Sequence, residues 1–291
     1  MNRCGANAGL NGAFNFSGMN SETEWVASKL QCGLGNRLFQ LAVAHKMSVD
    51  WSVPLVFAMP YCSPSEHGDF TTIFKLFPNV PKVWKAEADL SLEQAEAFEH
   101  ILLPPSPPAG RTLLRGFWQV ADYVLDSFEP SWDLVGCKDT LLDRWKLTTD
   151  LQKSKTAFLH VRLGDYKVLP HHQVNLLSYF AECIQAFPDD TRFLVFSDSP
   201  EEAATLPVFN ERCIFIDEKD EYRALYLMSR CWAGAICANS TFSWWGAFFG
   251  RQAASAAKGE LYRASMPSKW FTTSINASNV LPTWASVVTI A

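Results

Sequence analysis

Short apolar or alternating runs recur along this chain, separated by stretches whose apolar residues fall at i, i+3, i+4 and i+7. The runs predict strands at 25–30, 54–57, 112–118, 156–161, 192–196, 213–216, 234–237 and 260–262. Helical spacing is clearest at Leu38, Leu41, Ala42 and His45, and from Val174, Leu177 and Phe180 on to Ile184. Strand and helix alternate, the pattern of an α/β fold whose parallel sheets are covered by helices and bind ligands outside the carboxyl ends of the strands. Two such sheets are expected. The boundary is placed in the polar stretch 147–155, just before the strongest strand signal, giving an N-terminal domain over 25–150 and a C-terminal domain over 151–291. Residues 1–24, rich in Asn, Gly and Ser, read as a flexible tail, and the Pro-rich stretch 104–108 as a loop.

Composition narrows the function classes. With 25 Lys and Arg against 30 Asp and Glu, the net charge is −5 and no basic run is present, which argues against a nucleic-acid partner. The sequence holds no apolar stretch long enough to cross a bilayer and no signal-peptide core, so a soluble, cytoplasmic protein is expected. Cys4, Cys32, Cys62, Cys137, Cys183, Cys213, Cys231 and Cys237 form no C-x-x-C pair, and most lie in apolar stretches, as buried free thiols do. The N-x-S/T triplets at Asn15, Asn239 and Asn276 are too common by chance to indicate a secretory history.

Four predicted strand ends carry chemistry. Gly33-Leu34-Gly35-Asn36-Arg37 opens a helix, where glycines let an anion approach the free amides; the alternative is a tight turn without a ligand. His160 and Arg162 project to one face of the 156–161 strand, and Arg162 offers two phosphate oxygens a planar fork. The alternative is an Arg162–Asp165 ion pair holding the loop. Asn239, Ser240, Thr241, Phe242 and Ser243 precede an apolar helix, so hydroxyls and free N–H groups converge as in a diphosphate cradle, while Trp244 and Trp245 read as core. After Phe196 and Ser197, Asp198 is placed either to accept from a nucleoside or to cap the helix that follows. No metal site is expected: the acidic run 217–220 lacks D-x-D spacing, and His171-His172 is adjacent rather than i, i+4.

These residues resemble the α-1,2-fucosyltransferase family, glycosyltransferase family 11. Its G-G-L-G-N-Q-x-F-Q, H-x-R-R-G-D-Y, F-S-D and N-S-T-F-S-W-W-G-A motifs appear in order as CGLGNRLFQ (32–40), HVRLGDY (160–166), FSD (196–198) and NSTFSWWGA (239–247). Weaker matches follow at LRGFWQVADYV (114–124) and LYLMSRC (225–231). The resemblance implies two Rossmann-like domains facing each other across a cleft, the glycosyltransferase B-type fold. It also implies a GDP-β-L-fucose donor, no metal or other cofactor, and inversion onto the 2-hydroxyl of a galactose-type glycan acceptor. Donor-binding residues are then Gly33, Gly35, Asn36, Arg162, Ser197, Asp198, Asn239, Ser240, Thr241, Phe242 and Ser243. Arg162, Asp165 and His160 are the catalytic candidates, and His171 and His172 the acceptor candidates. Four positions depart from the family pattern: Ala224 stands for an Asp, Leu163 for the second Arg, Arg37 for Gln and Cys32 for a Gly. A negative φ at Cys32 would accommodate that replacement. Alternatives are another GDP-sugar transferase of this fold, or an inactive sugar- or nucleotide-binding module.

Overall fold

The computed structural model describes residues 24–64, 68–85, 87–108, 110–258 and 262–290. The tail, with Cys4 and Asn15, lies outside them, as does the start of the strand expected at 260–262. The chain divides into two compact units, Met1–Leu134 and Val135–Ala291.

The first unit contains β1 (Trp25–Ser28), α1 (Leu34–Trp51), β2 (Phe57–Ala58), α2 (Thr72–Leu76), β3 (Lys82–Val83), β4 (Leu90–Glu93) and β5 (Arg111–Arg115). Its three-stranded sheet has the order β1-β5-β4, and β2 pairs with β3; every pairing is parallel. An isolated bridge from Val26 to Leu55 joins β1 to the segment leading into β2. Trp25, Ala27, Val56, Ala58 and Leu113 form the core beneath the strands. The helix α1 is buried on nearly every side, so its polar residues need internal partners. Gln40 supplies two: its Oε1 accepts from the Gln31 N–H at 2.9 Å and its Nε2 donates to the Gly116 carbonyl at 3.2 Å, tying the β1 turn to the end of β5. The Arg37 guanidinium lies 4.7 Å over the Phe70 ring.

The second unit contains α3 (Lys138–Arg144), α4 (Asp150–Ser154), β6 (Thr156–Val161), α5 (Leu177–Ala186), β7 (Arg192–Ser197), α6 (Pro200–Ala203), β8 (Cys213–Phe215), α7 (Glu221–Met228), β9 (Gly234–Ile236), α8 (Thr241–Lys258), β10 (Arg263–Pro267) and β11 (Ser286–Val288). Its six-stranded parallel sheet has the order β11-β10-β9-β6-β7-β8. Counted within the unit this is the doubly wound order 3-2-1-4-5-6, whose direction of winding reverses between β6 and β9. All six residues of β6 are buried, as a central parallel strand covered on both faces requires. Leu159, Val161, Tyr179, Phe180, Phe193, Val195 and Ile236 build the core on one face.

The predicted α/β class and parallel sheets are therefore present, with differences in detail. The polar stretch expected as a linker contains α4, whose Thr149 and Gln152 form a capping box. It belongs to the second unit, because the carbonyls of Trp145 and Lys146 accept from the Arg192 guanidinium at the start of β7. Of the strand expected at 260–262 only Tyr262 is described, and it precedes β10, which begins at Arg263. The short strands β3, β4 and β11 escape the pattern because each exposes side chains.

Cys32 has φ 65°, in the left-handed region, so the negative φ expected for a Gly replacement is not adopted. A non-glycine residue there carries about 1–2 kcal/mol of strain, partly offset by the greater unfolded-state freedom of glycine. Cys32→Gly should raise stability by about 0.5–1 kcal/mol. Urea unfolding of the two proteins measures the difference.

Candidate active site

The carboxyl ends of β6, β7 and β9 meet where the strand order reverses, and most of the candidate residues of the second unit gather there. Arg162 follows the last residue of β6. Its Nη1 lies 3.1 Å from Asp198 Oδ2 and its Nη2 lies 2.9 Å from Asp165 Oδ1, with all three side chains partly exposed. The Arg162–Asp165 pair expected as the alternative is thus formed, and a second carboxylate joins it.

Asp198 neither caps α6 nor points freely outward. Its Oδ1 accepts from the Leu163 N–H at 2.9 Å, joining the loops after β6 and β7. A Cβ on Gly164 would lie 2.5 Å from Asp198 Oδ2, so a side chain at residue 164 would push this carboxylate from its present position. Ser197 accepts from the Ser199 N–H at 3.0 Å and shapes the same turn.

His160 lies beneath this cluster, 4% exposed, with its ring centroid 5.9 Å from that of Phe242. Burial, reinforced by the Arg162 charge, lowers its pKa from 6.5 to about 3, so the imidazole is neutral; Nδ1 has no hydrogen-bond partner.

The start of α8 is held by a polar network. The Tyr166 hydroxyl donates to the Asn239 carbonyl at 2.8 Å and hydrogen-bonds the Ser240 side chain. Burial pushes this phenol up to about 12. Asn239 Nδ2 donates to the carbonyls of His172, at 3.1 Å, and Trp270, at 2.9 Å. The Ser243 hydroxyl is fully buried and donates to the Ala238 and Ser240 carbonyls, so it fixes the turn instead of reaching outward. Ser240 borders the surface at 8% exposure, and Thr241 and Phe242 are partly exposed at the helix N-terminus, where the helix dipole favours an anion. Trp244 and Trp245 are core residues, as expected, and Trp244 Nε1 donates to the Val280 carbonyl.

His171 and His172 occupy a short 3-10 turn, Pro170–His172, fastened by Thr272, whose N–H donates to the His171 carbonyl and whose hydroxyl donates to that of Pro170. The His172 ring stacks on Tyr166 at 4.5 Å, and burial together with the neighbouring His171 lowers its pKa. A pocket of about 420 Å³ beside Arg162 is lined by the polar Tyr166, His172 and Asn239 and by the apolar Val174, Leu177 and Phe180. Sequence reasoning missed this pocket, which joins an apolar helix face to polar loop residues distant in sequence.

On α7, Ala224 is buried, and the nearby Asp220 caps the helix by accepting from the N–H groups of Tyr222 and Arg223. Gly33, Gly35 and Asn36 belong to the first unit. Gly33 is the N-cap residue of α1 with φ −70°, and Asn36 Oδ1 accepts from Gln119 at 2.8 Å. Among the described residues no group of three His, Cys, Asp or Glu side chains converges to hold a metal ion, and no helix is long and apolar enough to cross a membrane.

Comparison with known sequences decides the family. The model of glycosyl transferase family 11 matches residues 110–286, more than half of the chain. The chain belongs to glycosyltransferase family 11. It is 26% identical to an α-1,2-colitosyltransferase of Escherichia coli over 252 residues, 77% of this chain and 87% of the relative. To the O-antigen biosynthesis glycosyltransferase WbnK, also of Escherichia coli, it is 28% identical over 177 residues, 57% of this chain and about half, 55%, of WbnK. Two crystal structures of the fucosyltransferase NodZ, an α-1,6 enzyme co-crystallised with GDP and the enzyme from Bradyrhizobium, match with a TM-score of 0.47 each. Their sequence identities are 13% and 12%; each match covers 77% of this family 11 chain, and 91% and 92% of NodZ respectively.

Burial of neutral histidines has a pH signature. Burial also lowers His45, in α1, to about 4. The unfolded chain takes protons on both histidines near pH 6.5 while the folded chain excludes them, so stability should fall as pH drops below about 6.5. The loss should reach about 1.4 kcal/mol per pH unit for each histidine, fading near pH 4 for His45 and pH 3 for His160; above pH 6.5 neither contributes. Urea unfolding at pH 7.5 and 5.0 should show this loss, and His160→Gln should remove about one proton from the slope.

Proposed function

We propose that this family 11 glycosyltransferase moves L-fucose from GDP-β-L-fucose to the 2-hydroxyl of a galactose-type acceptor, with inversion and without a metal. The observation that carries the reading is Arg162, a cation at the end of the central strand β6, beside the N-terminus of α8 and at the reversal of the sheet. In this reading Arg162 and the first turn of α8, with Ser240, Thr241 and Phe242, hold the diphosphate. The acceptor oxygen attacks the anomeric carbon as the bond to the diphosphate breaks, and its electron pair leaves with GDP. Stabilising that developing charge by fixed cations and N–H dipoles is commonly the largest single contribution to catalysis. The acceptor proton goes to Asp165, whose carboxylate sits on the turn after β6 beside Arg162. Neutral His160 lies buried beneath the cluster and adds no charge to it. His172, on the pocket wall, faces the acceptor side.

The α-1,2-colitosyltransferase relative supports the linkage and favours a second reading, in which the linkage is kept and the sugar is colitose. Incubation with GDP-fucose or the corresponding colitose donor and a panel of galactosides, followed by linkage analysis of the product by NMR, separates the two. GDP binding without turnover of either donor identifies a binding module instead.

Arg162→Ala should lower kcat/KM for the donor by about 10²–10³ while the protein remains folded. A loss smaller than tenfold takes Arg162 out of the donor site. Activity should survive EDTA, since Arg162 and the α8 N-terminus carry the diphosphate charge in place of a cation. Complete loss that added Mg²⁺ or Mn²⁺ restores would refute the metal-free mechanism.

A further inference from the structure

The end of β6 carries one cation and two carboxylates. Arg162 contacts both Asp165 and Asp198, giving the trio a net charge of −1. The surroundings do little to reverse this. His160 is neutral, His172 is held below its usual pKa, and Lys167 is paired with Glu202. The N-terminus of α8 contributes only about half a charge. A diphosphate approaching Arg162 therefore meets a site whose cation is already more than neutralised, and like charges a few ångströms apart repel. One carboxylate has to give way.

The two carboxylates are held differently. Asp198 is fixed by the Leu163 N–H and fits closely over Gly164. Asp165 opens a 3-10 turn, Asp165–Val168, and among the described residues its side chain pairs only with Arg162. That contact is ionic, because Oδ1 lacks a hydrogen bond of proper geometry.

We propose that Asp165 is an exchangeable counter-ion: the donor diphosphate takes its place on Arg162 Nη2, while Asp198 stays and positions the guanidinium. The exchange leaves Asp165 without its cation at the moment the donor is bound. It couples donor binding to the appearance of a free carboxylate, so the base becomes available only in the loaded site. This rests on the reading of Arg162 as the diphosphate-binding residue.

The test is isothermal titration calorimetry of the full chain with GDP. Asp165→Asn should tighten GDP binding by about two- to fivefold, the range expected when a partly exposed competing ion pair is removed. The same substitution should tighten GDP binding less in an Arg162→Ala background, where the carboxylate has no cation to compete for and only direct repulsion is relieved. Asp198→Asn should weaken binding, because the guanidinium loses its fixed partner. In turnover assays Asp165→Asn should lower the donor KM and kcat together, a split that a merely structural loop residue does not give. If Arg162→Ala weakens GDP binding but Asp165→Asn leaves it unchanged or weaker, the exchange is overturned and the site reading stands. If Arg162→Ala leaves GDP binding unchanged, the site reading itself fails. Tightening by Asp198→Asn as well would overturn the division between a fixed and an exchangeable carboxylate. Should Asp198→Asn not fold, Asp165→Asn and its double variant with Arg162→Ala decide the proposal.

Discussion

A guanidinium at the end of a fully buried strand needs counter-charge, and the loops after β6 and β7 are built around supplying it. Asp198 reaches across from β7 to Arg162 and to the Leu163 amide, which draws the two strand ends into one surface. A local sequence preference follows: a Cβ at residue 164 would lie 2.5 Å from Asp198 Oδ2, so any side chain there forces that carboxylate to shift. The H-x-R-x-G-D pattern is thus explained by packing as much as by chemistry. The strand buries His160, the next residues expose Arg162, the glycine admits Asp198, and the turn that it opens delivers Asp165.

Around this trio lies a polar network that joins distant segments of the second unit. Tyr166 holds Asn239 and packs against His172, while Asn239 holds His172 and Trp270 through its amide. Side chains that resemble ligand contacts in the sequence, Asn239 and Ser243 above all, are occupied by backbone carbonyls. Arg162 and Asn239 also line the adjoining pocket. In these loops most polar groups satisfy the backbone, and a few are left at the surface.

How much of this was legible depends on how far each partner lies along the chain. Strand β6 and the core role of Trp244 and Trp245 follow from apolar runs, which report burial directly. The α8 N-terminus follows from Asn239-Ser240-Thr241 ahead of an apolar helix. The Arg162–Asp165 pair follows from a separation of three residues, but Asp198 lies 35 residues from Leu163 and its partner is set by strand order, which periodicity does not report. The strands β3, β4 and β11 are short and half-exposed, so their residues carry no clear alternation. Helix α4 was hidden by its polar composition, although Thr149 and Gln152 stand at capping-box spacing. At Cys32 the left-handed backbone is visible only in the structure.

The fastening of the 170–172 turn by Thr272 bears on how the protein is made. The carbonyls of Pro170 and His171 receive their hydrogen bonds from a residue about a hundred positions later, and Asn239 completes its own set only with Trp270. Parallel strands already require distant segments to meet before either is stabilised, which slows folding. A ribosome that has released β6 through α8 has therefore produced a sheet with its principal cation in place but with an unanchored loop beside it. The segment around Trp270 and Thr272 fastens that loop only after α8 has been made, so a chain interrupted before residue 270 has the sheet's central strands without the hydrogen bonds that hold the 170–172 turn.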